Sequence, residues 1–150
     1  MKHITISTKV EQSYLEVKEG FNQNLFKKLS PPFPPVKLLR FDGSNEGDLV
    51  SLELNFIFFK QTWTSIITKD HTDANEFYFI DKGIKLPFFL KKWQHKHRVI
   101  NDGKSSIIID EIAYQAPFSW MTLLLYPALY LQFIYRKPIY KKIFKDKSKL

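Results

Sequence analysis

The stretch WQHKHRVINDGKSSIIIDEIAY, residues 93–114, decides how the chain folds. Two runs of β character flank Asp102-Gly103, and Asp-Gly in that setting signals a two-residue hairpin loop. With that loop, Asn101 pairs with Lys104, His97 faces Ile108, His95 faces Asp110 and Trp93 faces Ile112. Side chains alternate across a sheet. Trp93, His95, His97, Val99, Ser106, Ile108, Asp110, Ile112 and Tyr114 therefore share one face. The other carries Gln94, Lys96, Arg98, Ile100, Ile107, Ile109 and Glu111. Lys96 and Arg98 require water, so the first set is expected on the concave, core-facing side. A slip of one residue would reverse the assignment.

Working outward, residues 2–9 read as a strand, with Ile4 and Ile6 alternating with His3, Thr5 and Ser7. Tyr14, Val17, Phe21, Leu25 and Leu29 fall at helical spacing, and Gly20 breaks residues 11–29 into two short helices. SPPFPPV, residues 30–36, is a stiff connector, because its four prolines cannot donate backbone hydrogen bonds. About eighty residues of β signal follow. The expected strands are Val36–Phe41, Leu49–Phe58, Lys60–Thr68, Glu76–Asp81 and the two arms of the hairpin, about 91–100 and 105–115. In the second of these, Val50, Leu52, Leu54, Phe56 and Phe58 alternate with Ser51, Glu53 and Asn55. KGIKLPFF, residues 82–89, reads as a connection. From Pro117 to Tyr135 the chain carries no charge and reads as a helix, with Pro117 in its first turn and kinks at Pro127 and Pro138. The order is strand, two short helices, about six consecutive strands and one C-terminal helix. Consecutive strands imply an antiparallel meander, and only the last helix is long and apolar enough to cover it.

A chain of 150 residues is expected to form one domain, residues 1–150. Aromatic residues are 16% of it, with 14 phenylalanines, more than a small core absorbs unless some line a pocket. The absence of cysteine excludes disulfides and thiolate metal sites and agrees with a reducing, cytoplasmic setting. MKHITIST has no apolar run, so no signal peptide is expected. The net charge is +8, but Arg136–Leu150 holds seven Lys or Arg against one Asp. The body is close to balanced, which argues against nucleic acid as a partner. The charge-free run ending at Tyr135, followed by Arg136, Lys137, Lys141 and Lys142, has the outline of a tail anchor. Gln115, Ser119, Thr122, Gln132 and Pro127 argue against spanning. Transient contact of the basic tail with an anionic membrane surface fits better.

The pairing of His95 with Asp110 admits several readings. It is a buried polar pair that satisfies itself, an anchor for a ligand's polar end, or an acid–base pair. A metal reading comes last. His-x-His with a cross-strand Asp would give three ligands, but the other two histidines, His3 and His71, sit at an edge and in a loop.

Trp93-x-His95-x-His97, then Asp110-x-x-x-Tyr114-x-x-Pro117, resembles the ligand-binding SRPBCC proteins of the START-like, Bet v 1-like superfamily, which includes polyketide cyclases and lipid carriers. Phe21, the SPPFPP segment, Gly47-Asp48 and Tyr135-Arg136 fit the same group, and the match covers nearly the whole chain. The resemblance implies an α+β helix-grip fold: a curved seven-stranded antiparallel sheet wrapped around a long C-terminal helix, with two short helices after the first strand. It implies a cavity between sheet and helix for a hydrophobic or amphipathic small molecule. Catalytic residues differ between branches of the superfamily, so none is carried over, and no cofactor or metal is expected. The leading expectation is a non-catalytic carrier or sensor of a lipid or polyketide-like compound, acting as a monomer or homodimer. The expected lining is Phe56, Phe58, Phe77 or Phe79, Trp93, His95, His97, Asp110, Tyr114, Met121 and Leu125. The alternative is a cyclase or dehydratase with His95 as acid or base.

Overall fold

Ile4, Ile6, Thr8 and Val10 are buried and their neighbours exposed, so the first strand, β1 (Lys2–Val10), lays one face on the core. The structure, a computed structural model, describes residues 1–149. After β1, Ser13 caps helix α1 (Tyr14–Gly20). Its hydroxyl accepts from Glu16 N, and the Glu16 carboxylate accepts from Ser13 N, a reciprocal capping box. The last residue of the helix is Gly20, where a side chain has no room: an added Cβ would stand 2.5 Å from the Phe144 ring. Asn22 caps α2 (Gln23–Lys28) through Leu25 N. The proline connector then leads into the sheet.

Six strands follow in sequence: β2 (Val36–Phe41), β3 (Leu49–Asn55), β4 (Lys60–Thr72), β5 (Glu76–Lys85), β6 (Lys92–Asp102) and β7 (Ser105–Gln115). They pair antiparallel in chain order, and β1 closes against β7, giving the order β1-β7-β6-β5-β4-β3-β2 among the described residues. Three strand limits differ from expectation. β3 stops at Asn55, since Phe56–Phe59 forms the turn to β4. β4 runs on to Thr72 and β5 to Lys85. The first extension is polar and exposed, and the second, Lys82–Lys85, holds a single large apolar residue, the exposed Ile84, so neither carries an alternation to read. Two register shifts between β4 and β5 bend this part of the sheet.

The C-terminal helix comes in two pieces, α3 (Ser119–Ile134) and α4 (Arg136–Ile143). The joint follows from Pro138. A proline lacks the N–H for the carbonyl four residues back and its ring crowds that carbonyl, which here belongs to Ile134, the last residue of α3. Pro127 sits inside α3 without ending it. Pro117 lies ahead of the helix rather than in its first turn. Leu129 and Phe133 of α3 pack on Ile4, Ile6, Trp93 and Ile112. Tyr140 and Phe144 pack with Val17, Phe21 and Leu25 over Phe77 and Phe79. No helix among the described residues is long and apolar enough to cross a membrane.

Candidate functional site

The two apolar clusters under the helices are separated by a polar belt. Along β6 the buried residues run Trp93, His95, His97, Val99; along β7 they run Tyr114, Ile112, Asp110, Ile108. Each strand thus interrupts its apolar face with ionisable groups at the same level. On β5, Asp81 follows Phe77 and Phe79 on the same face and joins the belt.

All nine residues expected on the concave face of the hairpin are buried. The register within it is a correction. Asp102 pairs with Ser105, so Gly103 and Lys104 form the loop, with Gly103 at φ 74. A glycine at the first loop position suits a type II′ turn. The ladder therefore moves by two residues, which keeps the face but changes the partners. His95 stands opposite Ile112, and Asp110 stands opposite His97. The contact between His95 and Asp110 forms nonetheless, on the diagonal: Nε2 to Oδ1, 2.8 Å.

Asp81 was not anticipated, and it completes the site. Its Oδ2 lies 2.9 Å from His97 Nε2 and 3.7 Å from His95 Nδ1, and its Oδ1 accepts from the Trp93 indole at 3.2 Å. Arg136 is the second unanticipated member. It is not part of a solvated tail: its side chain is only 13% exposed, lies over the Phe133 ring and brings a guanidinium nitrogen to 3.8 Å from Asp110. Its Nε and one terminal nitrogen have no hydrogen-bond partner among the described residues, nor has the Tyr140 hydroxyl beside it.

Burial pushes the carboxyls of Asp81 and Asp110 up, but their partners outweigh it. The hydrogen bond from His97 and the charges of both histidines hold Asp81 below the usual carboxylate range. The hydrogen bond from His95 and the charges of His95, Arg136 and His97 do the same for Asp110. His97 is pushed down to about 4, first by burial and then by the charge of His95, against the pull of Asp81 and Asp110. It is neutral at pH 7. Burial, with the nearby Asp110 charge, pushes the Tyr140 hydroxyl up.

The belt floors a cavity of about 700 Å³ between the sheet, α3 and the proline connector. Phe56, Phe79, Trp93, His95, His97 and Leu125 line it, as do Asp81 and Arg136. Asp110 lies behind His95 rather than on the wall. Three other expected residues stand elsewhere. Phe58 is 94% exposed at the tip of the β3–β4 turn, because the strand ends before it. Tyr114 is fully buried and donates its hydroxyl to the Thr122 carbonyl at 2.7 Å, tying α3 to the sheet. Met121 is half-buried and is not one of the lining residues. Phe77 belongs to the core under α1 and α4.

His97 Nδ1 is buried without a hydrogen-bond partner, and His95, also on the cavity wall, has one free ring nitrogen. Its Nε2 is held by Asp110, while its Nδ1 makes no hydrogen bond, the Asp81 oxygen being 3.7 Å away. Asp81, His95 and His97 each also present a ligating atom within 4.8 Å of the others, an arrangement that could take a cation.

No family model matches the sequence, and no curated protein matches it. Solved structures do match in shape. Norcoclaurine synthase from Thalictrum flavum superposes with a TM-score of 0.67 at 14% identity, covering 95% of this chain and 93% of that one. The ZhuI aromatase/cyclase from a Streptomyces species gives 0.61 at 14% identity over 91% and 89%. The di-domain aromatase/cyclase StfQ of the steffimycin biosynthetic pathway gives 0.67 at 10% identity, covering 99% of this chain and 52% of that one. The chain and these structures share the helix-grip fold. At these identities the likeness concerns the fold. In helix-grip terms, α3 and α4 are the gripped helix, and the cavity lies between grip and helix.

Proposed function

We propose that the cavity binds a hydrophobic or amphipathic small molecule bearing carbonyl groups, and that His95 performs acid–base chemistry on it, as in the cyclisation or dehydration of a polyketide-like compound. The observation that carries this is the state of His95: Nε2 fixed by a buried carboxylate, Nδ1 unbonded on a mainly apolar cavity wall whose charged groups, Asp81 and Arg136, lie beside it. The aromatase/cyclases and the synthase of the same fold are consistent with such use, as enzymes built on this scaffold.

The chemistry balances without a co-reactant. His95 Nδ1 takes a proton from carbon next to a bound carbonyl, giving an enolate. For ring closure the enolate carbon attacks a second carbonyl, whose oxygen takes the proton back. For dehydration the β-carbon–oxygen bond breaks instead, and the departing hydroxide takes the proton from Nδ1 to leave as water. Asp110 accepts from Nε2 and so orients the ring. Arg136 supplies positive charge near the floor, where a developing enolate oxygen is stabilised. Phe56, Phe79, Trp93 and Leu125 exclude water and hold the apolar body.

The same apolar lining supports a second reading, a carrier without turnover. An aryl β-hydroxyketone separates the two, since its dehydration to the conjugated enone is followed by absorbance. The expected result is turnover by the native chain, lost in His95→Ala while affinity for the compound stays within a few-fold. Binding without turnover by either protein leaves the carrier. Absence of binding by both rejects the cavity as a site for this class.

A further inference from the structure

A helix that is apolar on every side belongs in a core or in lipid. α3 is apolar on every side yet only Leu129 and Phe133 are fully buried. Trp120, Leu124, Leu131 and Tyr135, spaced at helical intervals, are exposed and form one stripe with Ala128. Ala128, Leu131 and Tyr135 also line the cavity, so this stripe is one lip of its mouth. The other lip is aromatic. Phe33, Phe56 and Phe88 line the cavity, and the rings run on from Phe33 to Phe56 (6.3 Å), Phe56 to Phe59 (5.2 Å) and Phe59 to Phe88 (5.8 Å). Beyond them the β3–β4 turn projects Ile57 and Phe58, 75% and 94% exposed. Ile57 sits at φ 75, a left-handed conformation that a β-branched residue adopts only under strain. Turns of this shape favour Gly, Asn or Asp. Strain held at an exposed apolar tip, where a relaxed polar residue would serve folding better, points to a use for the tip.

Basic residues outnumber acidic ones around this surface, where Glu53, ion-paired to Lys60 at 3.5 Å, is the carboxylate that flanks the turn. No carboxylate occurs between Glu53 and Asp70, between Asp81 and Asp102, or between Glu111 and Asp146. Those three segments supply the turn, the β5–β6 connection and α3. They also supply the exposed Lys85, Lys91 and Lys92 flanking Phe88, and Lys60 beside the turn.

We infer that this face docks on a lipid bilayer with anionic headgroups, the turn and the α3 stripe entering the apolar boundary while the lysines meet the headgroups. Apolar side chains ringed by basic ones are what such an interface requires. The cavity mouth would then open toward the bilayer, and a hydrophobic ligand would pass without crossing water. This extends the reading of the cavity as a ligand site, but vesicle binding is measured without any ligand, so the two can fail separately. The docking face is also distinct from the basic C-terminal tail.

Co-sedimentation with phosphatidylcholine vesicles, with and without phosphatidylglycerol, tests it. The full chain is expected to bind the anionic vesicles several-fold more strongly than the zwitterionic ones. Phe58→Ser with Leu124→Ser should weaken binding about tenfold or more, from the apolar area withheld from lipid. The exposed positions leave the urea midpoint unchanged. Lys141→Gln with Lys142→Gln, in the tail, should change binding far less. The inference is overturned if neither vesicle type binds. It is equally overturned if the tail substitutions alone abolish binding, or if light scattering shows a dimer that the Phe58 and Leu124 substitutions dissolve, since a second copy would then be the occupant.

Discussion

His95 and Asp110 are hydrogen-bonded, Nε2 to Oδ1 at 2.8 Å, although they are not opposite one another in the β6–β7 ladder. The residue opposite Asp110 is His97, and His97 bonds instead to Asp81, whose own ladder partner is His95. Both side-chain bonds thus run diagonally, and together they tie β5, β6 and β7 across the floor of the cavity. Each carboxylate is bonded by one imidazole and faced by the other. The belt is therefore a single unit, and removing one member exposes the rest to uncompensated burial.

Asp110→Ala should show this most directly. It would leave Arg136 buried without its counter-charge and His95 without its partner. Breaking a buried pair from one side costs about 3–5 kcal/mol. The urea midpoint should fall accordingly, and Asp110→Asn, which keeps an acceptor for His95, should fall less. Equal midpoints for the native chain and the alanine variant would mean that the belt contributes nothing to stability.

The belt also sets a pH dependence whose sign follows from His97. Its folded value is about 4, against an ordinary 6.5 in the unfolded chain. Between these values the unfolded chain takes up a proton that the folded chain refuses. Stability is therefore complete above about pH 6.5 and declines as the pH falls toward 4, by at most roughly 3 kcal/mol from this residue. Asp81 and Asp110, both held low, add a further loss as pH falls through the carboxylate range. Urea unfolding at a series of pH values should show both limbs. His97→Gln should flatten the upper limb, and it should also weaken the lower one, since His97 is the main partner that holds Asp81 low. A native chain equally stable at pH 6.5 and 4.5 would contradict the assignment.

How much of this is legible in the sequence depends on what each signal encodes. Alternation encodes the face of a strand, so all nine hairpin residues fall on the buried side, and a loop displaced by one residue, which shifts the ladder by two, leaves that intact. Alternation does not encode which strands are neighbours, and Asp81 enters the site only because β5 lies beside β6. Its sign was available in part: Phe77, Phe79 and Asp81 alternate, so the carboxylate shares the face of two core aromatics. Arg136 is masked by the lysines after it, whose density reads as a solvated tail. Its spacing tells otherwise, three residues after buried Phe133 and four before buried Tyr140, on one helical face. Phe58 is misplaced for the opposite reason, since apolar alternation continues through a turn whose residues serve the surface rather than the core.

Gly20→Ala tests the close approach of α1 to the C-terminal segment. In an open helix the change would stabilise. Here the new methyl would meet the buried Phe144 ring at 2.5 Å, and that ring is stacked on Phe21 and Tyr140 and cannot swing away freely. A loss of about 1–3 kcal/mol is expected from overpacking. A gain in stability would show that the terminal segment yields easily.

Ile57→Asn is expected to move two properties in opposite directions. The native residue holds φ 75 with a β-branched side chain, at a cost of about 1–2 kcal/mol relative to a relaxed backbone. Asparagine tolerates that conformation, and Ile57 is 75% exposed, so little packing is lost with it. The urea midpoint should rise, by about 1 kcal/mol in unfolding free energy. Partition onto anionic vesicles should fall, because the tip loses an apolar side chain at the point of deepest contact. A turn serving folding alone would show the first effect without the second. If the midpoint drops, Ile57 is packed more tightly than its exposure implies, and the strain is offset within the turn itself. The pair of measurements on one variant therefore tests whether stability at this tip has been given up for attachment to a lipid surface.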